Sequence, residues 1–563
     1  MSCFDMPLCC GQNVEELSIT QLQDHFKKGS FNSRDLVRCY LKRIEYINKH
    51  IRAVIETNPD AYKIADELDA EREGSNGRTR SKIHGIPFLV KDNIATKDSM
   101  QTTAGCAALL GTMVPDDAAV VALLRAAGGV LLGKANLSEW ASMLASYYSE
   151  AYSSRGGQNR NPYNLFKHPG GSSSGPASAV ATNMCAFSIG TETDGSVMFP
   201  ADRNAVVGIK PTVGLTSTLG IIPEAPSQDT VGTFGRSVED ATIILDIIAQ
   251  KSSISDRQLD TSESSVPQHD APKDYTNWLA KKDALKGAKF GLPWKRVWEA
   301  ASNSVEHKSE YLALKDLINQ IEGAGAQVFD VDFPSAEEII SPDGWDWGYA
   351  AGESDSQLSE FEIVKIEFYR SLARYLSTLE NNTKRILSLE DVIAYNIEHT
   401  DTEGGVPGTH PAWPTGQDNF DRCIESKDDG VEVYLKALEY NRRKSREEGI
   451  DAAMIYEGSE LDGLLVPIQA EGGVACSVAA KAGYPMITIP VGVNDNGVPF
   501  GMGIIQKRWK EHKLVRYGST IEDLVDHRPR PLFLNWRDAD GHYYYVGSPP
   551  KTAIMSQDTS PDE

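Results

Sequence analysis

The sequence is short of positive charge. Its 563 residues carry 56 Lys and Arg against 79 Asp and Glu, a net charge of −23. That balance argues against nucleic acid and against anionic membranes as partners, because both call for a basic surface. Long apolar runs are missing too: none approaches the roughly 18 residues of a membrane span. The opening residues, Met1-Ser2-Cys3-Phe4-Asp5-Met6, have neither the basic nor the apolar stretch of a secretory signal. Cysteine is sparse: Cys3, Cys9, Cys10, Cys39, Cys106, Cys185, Cys423 and Cys476 show no zinc-site spacing and are too thinly spread for a disulfide scaffold. Cys185 and Cys476 sit in small-residue or apolar stretches and read as buried thiols. There is no H-E-x-x-H, no Cys/His cluster and no G-x-x-x-x-G-K-[ST] phosphate loop. The expectation is a cytoplasmic protein with no metal, no cofactor, no nucleic acid and no membrane as partner.

What remains is an ordinary globular balance, 40% hydrophobic and 24% charged. Ser18-Ile19-Thr20-Gln21 reads as a capping box opening a helix. After Ser33, Leu36, Tyr40, Ile44 and Ile47 form a stripe at helical spacing, with Lys42 and Arg43 facing away. Ala61 to Arg72, Asp117 to Ala127, Val238 to Ala249, Leu312 to Ile321 and Tyr434 to Glu447 also read as helices. Phe88-Leu89-Val90, Val130-Leu131-Leu132, Ala205 to Ile209, Phe290 to Pro293, Leu464 to Pro467 and Met486 to Pro490 read as short buried strands. Strands alternating with helices predict an α/β fold: a single large domain with a central mixed β-sheet covered by helices on both faces. We place that domain at residues 15–547, after a flexible N-terminus (1–14) and before a disordered tail (548–563). The Ser/Asp/Gln-rich stretch 251–273 is read as a surface excursion.

Two glycine-dense loops carry the chemistry. Pro169-Gly170-Gly171-Ser172-Ser173-Ser174-Gly175 and Gly190-Thr191-Glu192-Thr193-Asp194-Gly195-Ser196 flank a small-residue segment, with Ser172 and Ser196 24 positions apart. Glycine lets backbone N–H groups approach a ligand closely. A serine hydroxyl among such groups provides a nucleophile and an oxyanion site, the minimum for acyl transfer. A base is still needed, and upstream Lys91 ends the apolar run Phe88-Leu89-Val90, where burial favours loss of its proton.

With Lys91-Asp92-Asn93, these loops resemble the amidase signature family of serine hydrolases. Leu132 to Trp140, Gly208 to Gly214, Ala482 to Pro485 and Gly497 to Gly501 follow the same pattern. The resemblance runs from about residue 15 to 525 and is weakest between 250 and 460. It implies amide hydrolysis through a serine acyl-enzyme with a Ser–cis-Ser–Lys triad: Ser196 as nucleophile, Ser172 as relay after a cis Gly171–Ser172 bond, and Lys91 as base. It further implies oxyanion or substrate contacts from Thr193, Asp194, Gly195 and Ser172, and a substrate wall at Met143. The implied partner is a small-molecule amide, with a homodimer left open.

The chain also departs from that pattern. Asp194 stands where glycine is common, and its carboxylate must turn away from a developing oxyanion, held by backbone N–H groups or a cation such as Arg203. Met198 replaces an arginine that would pair with an acid such as Asp229, a role Arg203 could take. These changes resemble a fungal subgroup with Thr-Glu-Thr-Asp-Gly-Ser. Alternatives stay open: the amidase-like component of a tRNA-dependent amidotransferase, an inactive binding homologue, or an ester or urea derivative as substrate. Gly171-Ser172-Ser173-Ser174-Gly175 also fits the G-x-S-x-G elbow, with Ser173 as nucleophile and His168 or His512 as base, but no strand precedes it. Trp345-Asp346-Trp347 and the aromatics of Phe361 to Tyr369 read as core packing.

Overall fold

The computed structural model describes residues 4–249, 272, 274–351, 356–469, 472–537 and 543–544. The expected tail (548–563) and, apart from residue 272, the expected excursion (251–273) lie outside the described residues. An eleven-stranded mixed sheet organises the chain. In chain order its strands are β1 (Val54–Thr57), β2 (Pro87–Lys91), β3 (Val130–Ala135), β4 (Phe187–Glu192), β5 (Val207–Lys210), β6 (Thr230–Gly235), β7 (Lys289–Pro293), β8 (Gln327–Val331), β9 (Gly463–Pro467), β10 (Met486–Val493) and β11 (Pro499–Ile505). They lie in the order β1-β3-β2-β4-β6-β5-β10-β11-β9-β7-β8. β3, β2 and β4 run parallel, as do β9, β7 and β8, and the pairs between β4 and β9 are antiparallel. The fold is the predicted large α/β domain around a mixed sheet.

The strands that matter most for chemistry are β2 and β4. Both are buried along their whole length, as strands in the interior of a sheet covered on both faces are. Their register places Phe88 opposite Phe187, and the two rings stack with centroids 5.1 Å apart. Such a pair contributes ~1 kcal/mol beyond its burial and fixes the alignment of the two strand ends. The helix Ser174–Ala181 is entirely buried. Its small residues bring its N-terminal loop, which holds Ser172, close to the ends of β2 and β4.

Two expectations are corrected. The N-terminus packs from residue 4 onward: Phe4, Met6, Cys9 and Val14 are buried. The Phe4 ring lies 4.3 Å from that of Phe533, and Cys39 Sγ donates to the Pro7 carbonyl at 2.8 Å. Apolar residues in a short polar stretch had somewhere to dock. Arg43 likewise does not face away. It lies on the buried face of the helix Ser33–Ile51, three residues after Tyr40, and its guanidinium donates to the carbonyls of Thr182 and Phe4.

Candidate active site

Because β2 and β4 are parallel neighbours, their C-terminal ends open at the same edge of the sheet, where open α/β sheets bind ligands. Lys91 is the last residue of β2, and the loop from Thr193 to Ser196 follows β4. Lys91 is fully buried, and its Nζ donates to Ser172 Oγ at 2.7 Å, to Thr191 Oγ1 at 2.9 Å and to the Thr191 carbonyl at 3.2 Å. Asn93 Nδ2 holds the same Thr191 hydroxyl at 2.9 Å. Ser172 Oγ is 2.9 Å from Ser196 Oγ, and the Gly171–Ser172 peptide is cis. Lys91, Ser172 and Ser196, 105 positions apart from first to last in the sequence, thus form one chain of hydrogen bonds.

Burial brings the Lys91 pKa down to about 7; the Glu224, Asp229, Glu192 and Glu150 carboxyls nearby oppose it only to the extent that they are ionised. Desolvation dominates because the amine has no water around it. Beyond Ser196, Glu192 Oε2 accepts the N–H groups of Val197 and Met198 at 2.6 and 2.9 Å and ties down the turn. Gly195 has a φ of +75°, a conformation that favours glycine. The N–H groups of Thr193, Asp194, Gly195 and Ser196 donate to nothing among the described residues. Buried N–H groups are normally paired, so a run of free donors beside a serine hydroxyl is a ready place for an oxyanion.

Ser173 is occupied otherwise. Its Oγ donates to the Thr191 carbonyl at 2.9 Å, and its N–H donates to the Ser196 carbonyl at 3.1 Å. No histidine among the described residues meets it: His168 Nδ1 accepts from the Gly170 N–H, and burial holds its pKa at about 3. The elbow alternative finds no support.

Known proteins follow the same line. The family described as Amidase matches residues 35–399. A Schizosaccharomyces pombe protein assigned to the amidases is 46% identical over 540 residues, covering 95% of this chain and 89% of that one. The chain belongs to the amidase family. One component of the glutamyl-tRNA(Gln) amidotransferase of Symbiobacterium thermophilum is 29% identical, over 91% of this chain and 97% of that one. Among solved structures, the peptide amidase of Stenotrophomonas maltophilia is 36% identical with a TM-score of 0.77, covering 92% and 99% of the two chains.

Within this amidase-family site, four sequence expectations are corrected. Asp194 does turn its carboxylate toward a donor, but the donor is the indole of Trp345, at 2.7 Å from Oδ2. Arg203 is engaged elsewhere, with the His168 carbonyl and Gln469 Oε1 at 3.1 and 2.9 Å. For the same reason Arg203 does not pair with Asp229, which instead accepts from Thr193 Oγ1 and from the N–H groups of Glu224 and Ala225. Met143 is fully buried beside Leu137, Trp140 and Leu144, in a second apolar cluster that also holds Phe361 and Phe368, and offers no surface to a substrate. Trp345, expected in the core, reaches the nucleophile loop and is 36% exposed. Only its place in an aromatic ladder with Trp347 and Phe361 follows the core-packing expectation.

Sequence reasoning also missed a buried acidic group. Cys106, Glu139 and Glu403 bring their ligand atoms within 4.8 Å of one another. Glu403 Oε2 accepts from Cys106 Sγ and Ser154 Oγ, and Glu139 Oε2 accepts from the Ser154 N–H. Burial pushes the Cys106 thiol and the Glu139 carboxyl well up, toward their protonated forms. No helix among the described residues is long and apolar enough to cross a membrane.

Gly171 offers a direct check of the site's packing. A Cβ there would collide with Glu150 Oε1 and Ser138 Oγ, which are hydrogen-bonded to each other. Gly171→Ala is expected to lower stability by about 1–3 kcal/mol and to lower activity further by displacing Ser172. An unchanged melting temperature and turnover would contradict the tight fit.

Proposed function

We propose that the protein hydrolyses a carboxamide C–N bond through an acyl-enzyme on Ser196. The observation that carries this reading is the contact chain Lys91 Nζ–Ser172 Oγ–Ser196 Oγ, at 2.7 and 2.9 Å. With Lys91 charged, the chain points outward: lysine donates to Ser172, and Ser172 donates to Ser196. With Lys91 neutral it reverses. Ser196 then donates to Ser172, Ser172 donates to the amine, and the Ser196 oxygen is free to attack.

In the forward step the Ser196 oxygen bonds to the amide carbon while its proton passes to Ser172 and the Ser172 proton passes to Lys91. The carbonyl oxygen becomes an oxyanion facing the free N–H groups of residues 193–196. As the C–N bond breaks, the relay returns a proton to the leaving nitrogen, and the amine departs. Water then attacks the ester and gives its proton to the same relay. The carboxylic acid leaves and Ser196 is regenerated. The likeness to a peptide amidase makes peptide amides the first substrates to try. Turnover by the lone purified chain separates this reading from that of an amidotransferase component, which would work only in its complex.

The pH dependence tests it. Lys91 must be neutral to accept a proton, and its pKa is about 7. Below that value the ammonium blocks the relay, so kcat/KM should fall about tenfold per pH unit. Above it the rate should level off. The acid limb should therefore centre near 7. A limb centred near the ordinary lysine value of 10.5, or a flat profile where chemistry limits the rate, would contradict the role of Lys91.

A further inference from the structure

Thr193 opens the loop of free N–H groups beside Ser196, and its hydroxyl is unusually placed. Thr193 Oγ1 lies 2.8 Å from Glu224 Oε2 and 2.6 Å from Asp229 Oδ1. All three residues are buried or nearly so. A threonine hydroxyl has one proton and can donate it to one carboxyl only. Two carboxylates on the same oxygen would leave one short oxygen–oxygen contact with no proton in it, and two anions side by side. The arrangement closes if one acid carries its own proton.

The other contacts say which acid that is. Asp229 accepts from two backbone N–H groups, those of Glu224 at 2.9 Å and Ala225 at 3.1 Å, and such bonds favour an anion. The Glu224 carboxyl meets no donor except Thr193 among the described residues. We propose that Glu224 is a positioning residue that works in its neutral form: its carboxyl donates to Thr193, Thr193 donates to Asp229, and this relay of hydrogen bonds fixes the oxyanion loop against the sheet. Burial and the neighbouring Asp229 charge push Glu224 in the same direction, well above the usual carboxylate range. The proposal rests on Ser196 being the nucleophile.

A second consequence follows from charge. Lys91 faces Glu224, Asp229, Glu192 and Glu150. Glu224 also faces Asp194, and Asp229 influences Glu367 on the helix Glu360–Leu376. Of the four carboxyls around Lys91, Glu224 would stabilise the ammonium most if ionised. A neutral Glu224 therefore keeps the acid limb of catalysis low while still bracing the loop.

The test uses the full chain and a fluorophosphonate, whose rate of reaction with Ser196 requires no knowledge of the substrate. Labelling rates are measured from roughly pH 5 to 10 for wild type, Glu224→Gln and Glu224→Leu. Gln keeps the shape and a donor without a charge. Its acid limb should coincide with that of wild type, and its plateau should lie close to it. Leu keeps neutrality but loses the donor, so its plateau should fall about tenfold below that of Gln, the worth of one buried hydrogen bond, at the same limb position. A limb in Glu224→Gln that moves to lower pH by more than about half a unit means that a charge was removed, and overturns the neutral form. A Leu variant as fast as Gln overturns the positioning role. If Glu224→Leu does not fold, the Gln limb still decides the protonation state, and Glu224→Ala replaces Leu in the plateau comparison. Wild type that labels no better than Ser196→Ala would instead remove the nucleophile assignment, and this proposal with it.

Discussion

Ser196→Ala should lower amide hydrolysis by at least about 10³-fold while leaving the fold intact. The substitution removes a single oxygen, the one that bonds to the amide carbon. It also removes the acceptor of the Ser172 hydroxyl, a loss of about 1 kcal/mol at most. Spread over a chain this long, that shifts the melting temperature by a few degrees or less. Ser173→Ala is the informative control. Ser173 Oγ links the loop to Thr191 through its carbonyl at 2.9 Å and its N–H at 3.3 Å, so its loss should affect stability more than that of Ser196 and activity far less. A Ser196→Ala enzyme that keeps a tenth of wild-type turnover, or a Ser173→Ala enzyme that loses more than Ser196→Ala, would reverse the assignment.

Substitution of Lys91 should be comparably damaging. Lys91→Ala removes the final proton acceptor, and a loss of at least about 10³-fold is expected. Lys91→Arg should not restore activity: a guanidinium stays charged, and the fully buried site has no space for its fork. A companion measurement isolates the lysine from every other group. Folding lowers the Lys91 pKa from 10.5 to about 7. Between those two values the unfolded chain binds the proton more tightly than the folded one, so this residue makes wild type more stable as pH rises through that window. Lys91→Met has no such term. Its stability relative to wild type should therefore be greatest near pH 7 and shrink toward 10.5. A difference independent of pH would mean that the folded lysine keeps its ordinary proton affinity, and an active Lys91→Arg would rule it out as the base.

Much of this was legible in the sequence because it was local. Apolar runs such as Phe88-Leu89-Val90 and Leu464 to Pro467 became strands, and the Ser18 capping box formed as read. Strands β6 and β11 were missed because glycines interrupt their apolar pattern. A Cβ on Gly232 would lie 2.7 Å from the Ile209 carbonyl oxygen, and one on Gly501 would meet that of Ile489, so close packing selects residues that weaken the strand signal. The contacts among Lys91, Ser172 and Ser196 were anticipated through family resemblance; spacing alone could not bring a strand end and two distant loops together. What was illegible was the identity of long-range partners. Asp194 needed a donor by simple electrostatics, yet nothing local marks Trp345, 151 positions away. Arg203 was the nearest cation in sequence, but a short helix, Met198–Arg203, carries it toward Gln469. The pairing of Glu224 with Asp229 around Thr193 likewise depends on how the loop before β6 folds back.

The most direct test of the account is to locate the covalent intermediate. Wild-type protein treated with a fluorophosphonate, digested and analysed by mass spectrometry should carry one adduct, on the peptide containing Ser196. That adduct should be absent from Ser196→Ala and form slowly in Lys91→Ala. An adduct on Ser172 or Ser173, or equal labelling of Ser196 with and without Lys91, would contradict the proposal that Lys91, through Ser172, makes Ser196 the nucleophile.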